Sequence, residues 1–125
     1  MNIPTELRYT SDHEWAKNEG GVAIVGITDY AQSELGDVVF VELPEVGSQV
    51  EKGASFGTIE AVKAVADLFS PVSGEVVEVN SLLEDAPETV NKDPYGDGWM
   101  VKIKMSDPAE FDGLMDAEAY EKLIS

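Results

Sequence analysis

The chain has no cysteine, so no disulfide framework, thiolate nucleophile or protein dithiol couple is available to it. Any sulfur redox chemistry must come from an attached group. A single histidine, His13, excludes the multi-histidine zinc patterns, and the acids are scattered without the spacing of a calcium loop. Cations are scarce too: 8 basic side chains against 25 acidic ones give a formal net charge of -17. A field of that sign repels phosphate backbones and anionic lipid surfaces, which sets nucleic acid and membranes aside as partners. It favours proteins with basic docking surfaces, through an attraction that salt weakens. No run approaches the roughly 20 apolar residues of a membrane span, and Met1-Asn2-Ile3-Pro4-Thr5-Glu6 has neither a basic start nor an apolar core. A cytoplasmic protein is expected.

At 125 residues and 43% hydrophobic, the chain suits a single domain, residues 1–125, with one core. Val22-Ala23-Ile24-Val25-Gly26-Ile27, Val38-Val39-Phe40-Val41-Glu42-Leu43 and Val76-Val77-Glu78-Val79 are short, β-branched and bounded by glycine or proline, as strands are. Trp99, Val101, Ile103 and Met105 alternate with Lys102 and Lys104, which predicts a half-buried strand with its lysines in water. Three short helices are expected. One runs from Asp29 to Leu35, with Gln32 three residues into it, Gly36 as its stop, and Tyr30 and Leu35 inward. A second is capped by Ser81 with Glu84, and a third starts at Asp107-Pro108 and packs the C-terminal segment through Leu114, Tyr120, Leu123 and Ile124. The fold predicted is mainly β, a sandwich or flattened barrel.

Two look-alike segments flank Lys63. One opens Gly36-Asp37-Val38-Val39 and closes Val50-Glu51-Lys52-Gly53; the other opens Gly74-Glu75-Val76-Val77 and closes Val90-Asn91-Lys92-Asp93. Two such half-units related by an approximate two-fold axis place Lys63 on an exposed hairpin between them. A lone lysine on a hairpin is ordinarily a soluble edge residue. Here its neighbours Ala61, Val62, Ala64 and Ala66 leave it open to close approach by an enzyme, and Glu60 and Asp67 add charge to the shape of the turn. That suits a covalently attached cofactor.

The sequence closely resembles the H protein of the glycine cleavage system, a lipoyl carrier, nearly end to end. The residues that carry the resemblance are Asp12-His13-Glu14-Trp15, Val25-Gly26-Ile27-Thr28, Ala31-Gln32, Leu35-Gly36-Asp37-Val38-Val39, Leu43-Pro44, Glu60-Ala61-Val62-Lys63-Ala64, Ser70-Pro71 and Ser73-Gly74-Glu75-Val76. Val90-Asn91-Lys92-Asp93-Pro94-Tyr95-Gly96-Asp97-Gly98-Trp99 and Asp116-Ala117-Glu118-Ala119-Tyr120 add to it. Serine is common in that family at the place of Ala61, and a residue other than aspartate at the place of Asp12. Neither departure touches the acceptor amine.

The resemblance implies a barrel-sandwich hybrid of the lipoyl and biotinyl carrier kind, and lipoic acid joined to Lys63 by an amide. That change removes one cation and leaves a long neutral arm. It further implies a shuttle rather than an enzyme, visiting glycine decarboxylase (P protein), aminomethyltransferase (T protein) and dihydrolipoamide dehydrogenase (L protein), and met first by lipoylating enzymes. The carrier is expected to be a monomer. Between visits the loaded arm would fold into a cleft, with Glu14, Ile27 and Asp67 at the cleft's positions and Asp12 as a further acid. Without the resemblance, Glu14 reads as a solvated acid beyond a strand end and Asp67 as a turn cap. His13 reads as a local packing residue, and Trp15 and Trp99 as core. Three alternatives remain: a biotin carrier, which usually has methionine on both sides of its lysine; a 2-oxo-acid dehydrogenase lipoyl domain, which commonly has aspartate before it; and an unmodified acidic β interaction module.

Overall fold

The computed structural model describes residues 2–125. In chain order these form β1 (Arg8–Tyr9), β2 (Glu14–Glu19), β3 (Val22–Ile27), α1 (Asp29–Leu35), β4 (Val38–Glu42), β5 (Gln49–Val50), β6 (Ser55–Ala61), β7 (Val65–Phe69), β8 (Gly74–Val79), α2 (Leu82–Asp85), α3 (Thr89–Lys92), β9 (Val101–Met105), α4 (Ala109–Asp112) and α5 (Ala117–Ile124). The strands make two antiparallel sheets, one six-stranded in the order β1-β2-β3-β9-β8-β5 and one three-stranded in the order β4-β6-β7. Ala23, Val25, Val101 and Ile103 from the first sheet meet Val38, Val41, Ile59 and Leu68 from the second in one apolar cluster. Burying each larger side chain of that kind is worth about 1.5–3 kcal/mol. The expected mainly β, flattened barrel-sandwich is what forms, and neither sheet closes on itself.

The alternating segment behaves as its period demands: Val101 and Ile103 are fully buried and Met105 nearly so, while Lys104 is exposed. Two of its expectations need correction. Trp99 precedes β9 and packs with a second cluster around Tyr9, Trp15 and Tyr120. Lys102 is half-buried, lying 4.9 Å over the Trp99 ring and 3.3 Å from Glu78, because its long stem covers the indole before the charge reaches water.

The repeat is real in its first halves only. Asp37-Val38 leads into β4 and Gly74-Glu75 into β8, which lie in opposite sheets. The closing halves differ: Glu51-Lys52-Gly53 is a turn with Gly53 at φ 85, whereas Val90-Asn91-Lys92 is the helix α3.

Among the described residues there are five helices rather than three. The C-terminal segment is broken by Leu114 and Met115, because Met115 exchanges both backbone hydrogen bonds with Tyr9 and cannot continue a helix. Leu123 is 49% exposed and does not pack, while Tyr120 is fully buried. Ser81 is no cap: its backbone is already helical, and Asn80 Oδ1 accepts the Leu82 N–H instead. For α1 the capping oxygen is Thr28 Oγ1, which accepts the Ala31 N–H at 3.2 Å, and Asp29 Oδ1 receives Gln32 Nε2 at 2.8 Å. Among the described residues no helix is long and apolar enough to cross a membrane.

Candidate functional site

The β6–β7 ladder ends at the Glu60–Val65 pair, so the chain must reverse over Ala61–Ala64. The Ala61 N–H donates to Ala64 O at 2.8 Å, and the Val62 N–H donates outward to Asp37 O at 2.9 Å. Backbone bonds fix this turn, and none of its side chains is needed to close it. Lys63 is exposed between Val62 and Ala64, both exposed, and takes part in none of the ion pairs found among the described residues. Its methylene stem lies toward Gly36: a Cβ built there would touch Lys63 Cγ, Cδ and Cε, each at 3.4 Å.

Gly36 closes α1, donating its N–H to Gln32 O at φ 80. The same point is held from α3, where Asn91 Nδ2 donates to Gly36 O at 2.8 Å and to Gln32 Oε1 at 3.0 Å, and Asn91 Oδ1 accepts the Val38 N–H at 2.9 Å. The helix of seven residues spans about 10 Å. One end lies beneath Lys63, and the other meets the loop before Glu14.

Along that helix runs a cavity of about 280 Å³. Ile27, Ala31, Leu35, Ile59, Ala66 and Leu68 give it apolar walls, and Asp12, Glu14, Glu34 and Asp67 give it four carboxyl groups. Glu14, Ile27 and Asp67, far apart in sequence, therefore share one cavity, with Asp12 beside them. Glu14 and Ile27 are opposite one another in the β2–β3 ladder, and Asp67 comes from β7 of the other sheet. Asp67 is an exposed mid-strand residue rather than a turn cap, since it faces Thr58 in the ladder.

Glu14 is not solvated. It opens β2 and is only 2% exposed. Its Oε1 accepts the Thr10 hydroxyl at 2.8 Å and its Oε2 the Phe69 N–H at 3.4 Å. Burial pushes its pKa up to about 8, and these two hydrogen bonds offset only part of that. The Thr10 oxygen already accepts the Asp12 and Glu14 N–H groups, each at 3.2 Å, so neither partner of the carboxyl is free to take its proton. That proton remains available to a basic group entering the cavity. Glu14 and Asp12 also line a second cavity of about 340 Å³, on the side of Lys52, Ser70 and Leu114.

Sequence reasoning missed Glu34 and Tyr30 as lining residues and Asn91 as the tie beneath Lys63. For Glu34 a signal existed: Tyr30, Ala31, Glu34 and Leu35 recur at three- and four-residue spacing on one face of α1. His13 was read as making local contacts. Its Nδ1 lies 2.8 Å from the Tyr120 hydroxyl on α5, because the turn before β2 reaches the C-terminal helix. Trp15 is core as expected, with its Nε1 donating to Pro94 O at 2.9 Å and its ring filling the space where a Cβ on Gly26 would stand.

Comparison with known proteins points to one family. The family described as "Glycine cleavage H-protein" matches residues 7–125. A glycine cleavage system H protein from Anaeromyxobacter sp. (strain K) is 58% identical over 124 residues, covering 99% of this chain and 97% of that one. One from Chlorobium phaeovibrioides is 60% identical over 126 residues, covering 99% and 98%. The crystal structure of such a protein from Mycobacterium marinum superposes with a TM-score of 0.88 at 43% identity, over 96% of this chain and 97% of that one. With a match of this length in sequence and in fold, the chain belongs to the Glycine cleavage H-protein family.

Proposed function

We propose that Lys63 is the residue that carries the lipoyl group, and that the cavity bounded by Glu14, Ile27 and Asp67 shelters the loaded arm between visits to partner enzymes. Membership of the family makes the chain a lipoyl-carrying shuttle in glycine cleavage, which moves the aminomethyl group of glycine and is not itself a catalyst. Its cofactor is covalently bound lipoic acid. When attached, that group supplies a dithiolane that opens on reduction, chemistry that a chain without cysteine lacks.

The residues present fit such a group. Lys63 offers a free amine at an exposed turn, and α1 leads from its stem to the cavity. Ile27, Leu35 and Leu68 suit a hydrocarbon arm, and carboxyl groups suit an amine at its end. Glu14, protonated below about pH 8, hands its proton to an arriving neutral amine. What results is a carboxylate facing an ammonium against a largely apolar wall, where such a pair is worth more than in water. Asp12, Glu34 and Asp67 at the same cavity favour the cation further.

The single observation that carries this reading is the convergence of Glu14, Ile27 and Asp67 on one cavity beside the helix that ends under Lys63. The protein so read is one carrier domain and a cytoplasmic monomer. It docks through its acidic surface to the decarboxylase (P protein), the aminomethyltransferase (T protein), the dihydrolipoamide dehydrogenase (L protein) and a lipoylating enzyme. Incubation with lipoate ligase, ATP and lipoate followed by peptide mass mapping tests the attachment: the lipoyl mass increment is expected on Lys63, and an increment on any other lysine refutes it. For the cleft, the lifetime of the loaded amine is expected to fall in Glu14→Gln and in Ile27→Ala, and equal lifetimes in both variants and the parent would remove the sheltering role.

A further inference from the structure

We propose that His13 is a positioning residue for the cleft: its imidazole, bonded to Tyr120 on α5, ties the Thr10–Glu14 turn to the C-terminal helix and so holds the Glu14 carboxyl at the cavity wall. The inference deepens the reading of the cleft and rests on it. It begins with the backbone. The Thr10 N–H donates to Glu14 O at 3.0 Å and the His13 N–H to Thr10 O at 3.1 Å, so Ser11, Asp12 and His13 form a three-residue hairpin loop. Loops of this kind end in a left-handed residue, and His13 at φ 69 fills that place. Among the described residues no other non-glycine has a positive φ. Glycine suits the position best, because a Cβ crowds the following carbonyl.

An imidazole kept at such a place needs a compensating contact, and it has one. Nδ1 lies 2.8 Å from Tyr120 Oη, which itself lies 2.7 Å from Thr28 Oγ1. Thr28 is fully buried, its oxygen accepts the Ala31 N–H, and its hydroxyl is paired with Tyr120 Oη. The Tyr120 hydroxyl joins Thr28 Oγ1 on one side to His13 Nδ1 on the other. The chain of bonds thus runs from the cap of α1 through α5 to the loop. Tyr120 is fixed from its other face by Tyr9, stacked at 4.8 Å and 10°. Tyr30 of α1 sits 4.8 Å from the imidazole. Since Glu14 follows His13 directly, the angle held at His13 sets where the carboxyl points.

Carboxyl ¹³C NMR on the unmodified protein tests this by following the titration of Glu14. In the parent the midpoint is expected at about 8. His13→Gly and Tyr120→Phe should each lower it by about one pH unit or more, as the carboxyl gains access to water. The melting temperature of His13→Gly should stay level or rise, because glycine relaxes the loop. His13→Asn, which accepts the backbone angle but is too short for Tyr120, should behave like His13→Gly. In the loaded protein all three variants should shorten the lifetime of the amine several-fold. A Glu14 midpoint unmoved in His13→Gly and Tyr120→Phe, or one that moves only as far as the melting temperature falls, overturns the proposal. If Glu14→Gln leaves the lifetime unchanged while His13→Gly still moves the midpoint, the sheltering reading fails and the positioning role stands.

Discussion

At Ala61–Ala64 the backbone closes the turn and leaves Lys63 free, whereas at Thr10–Glu14 the side chains do much of the closing: the Thr10 hydroxyl, the Glu14 carboxyl and the His13 ring each hold a partner. The first turn presents a side chain without depending on it. The second buries an ionisable group at 2% exposure and strains a histidine to do so. On the proposed reading, an attachment point at the first turn gains from being dispensable to the fold, and a shelter at the second gains from rigidity. Changes at Lys63 should therefore alter function alone, and changes at the Glu14 carboxyl should alter stability and function together.

The sharpest break in that comparison is Lys63→Ala. All lipoylation and all glycine-cleavage turnover in a reconstituted system should vanish, while unfolding free energy changes by less than about 0.5 kcal/mol, the usual effect at an exposed site. Intact mass and a urea titration measure the two halves. A large loss of stability would mean that the Lys63 stem against Gly36 matters to the fold, and the two turns would no longer differ in kind.

Next in size is the pH response of Glu14. Its folded pKa of about 8 lies above the ordinary value of 4.5, so between those values the folded state keeps a proton that the unfolded chain has lost. Stability must then fall as pH rises through that window, with a slope of up to about 1.4 kcal/mol per pH unit from this group, and level off above it. Below pH 4.5 both states are protonated and the group adds no slope. Glu14→Gln should remove this descent and be relatively more stable toward pH 8, while losing the anion that the proposed shelter requires. Melting temperatures across pH 4–9 check it, and parallel curves for parent and variant would show that Glu14 titrates normally.

How much of this was legible in the sequence follows from the range of each interaction. The strand at Val22–Ile27 and the helix at Asp29–Leu35 were readable because alternation, β-branching and a terminal glycine act within a few residues. Lys63 stood out for the same reason, through its small neighbours. The burial of Glu14 was not readable, since it depends on Thr10 next to it and Phe69 in the other sheet meeting one carboxyl. The resemblance named Glu14, Ile27 and Asp67 together without saying what condition they were in. His13 shows the limit most clearly: its partner Tyr120 lies 107 residues away, and nothing local to Ser11-Asp12-His13 announces it. The broken C-terminal helix failed for the same reason, because the Met115 bridge to Tyr9 outweighs the local tendency of that segment to coil.

Smallest in expected effect, and set where the two regions are joined, is Gly36→Ala. At φ 80 and ψ -159, backbone that essentially only glycine adopts, an alanine should cost about 1–3 kcal/mol, while its Cβ meets the Lys63 stem only at an ordinary contact distance of 3.4 Å. The stem is flexible and ends in an amine directed to solvent, so lipoylation should proceed to the parent's extent even as the melting temperature drops. Mass spectrometry beside a thermal melt separates the two. An unshifted melt would show that α1 does not need its left-handed stop. Loss of lipoylation with only a small shift would show that the backbone after α1, which accepts the Val62 N–H at Asp37 O, aims the Lys63 turn, and that turn would then inherit part of its geometry from the end of α1.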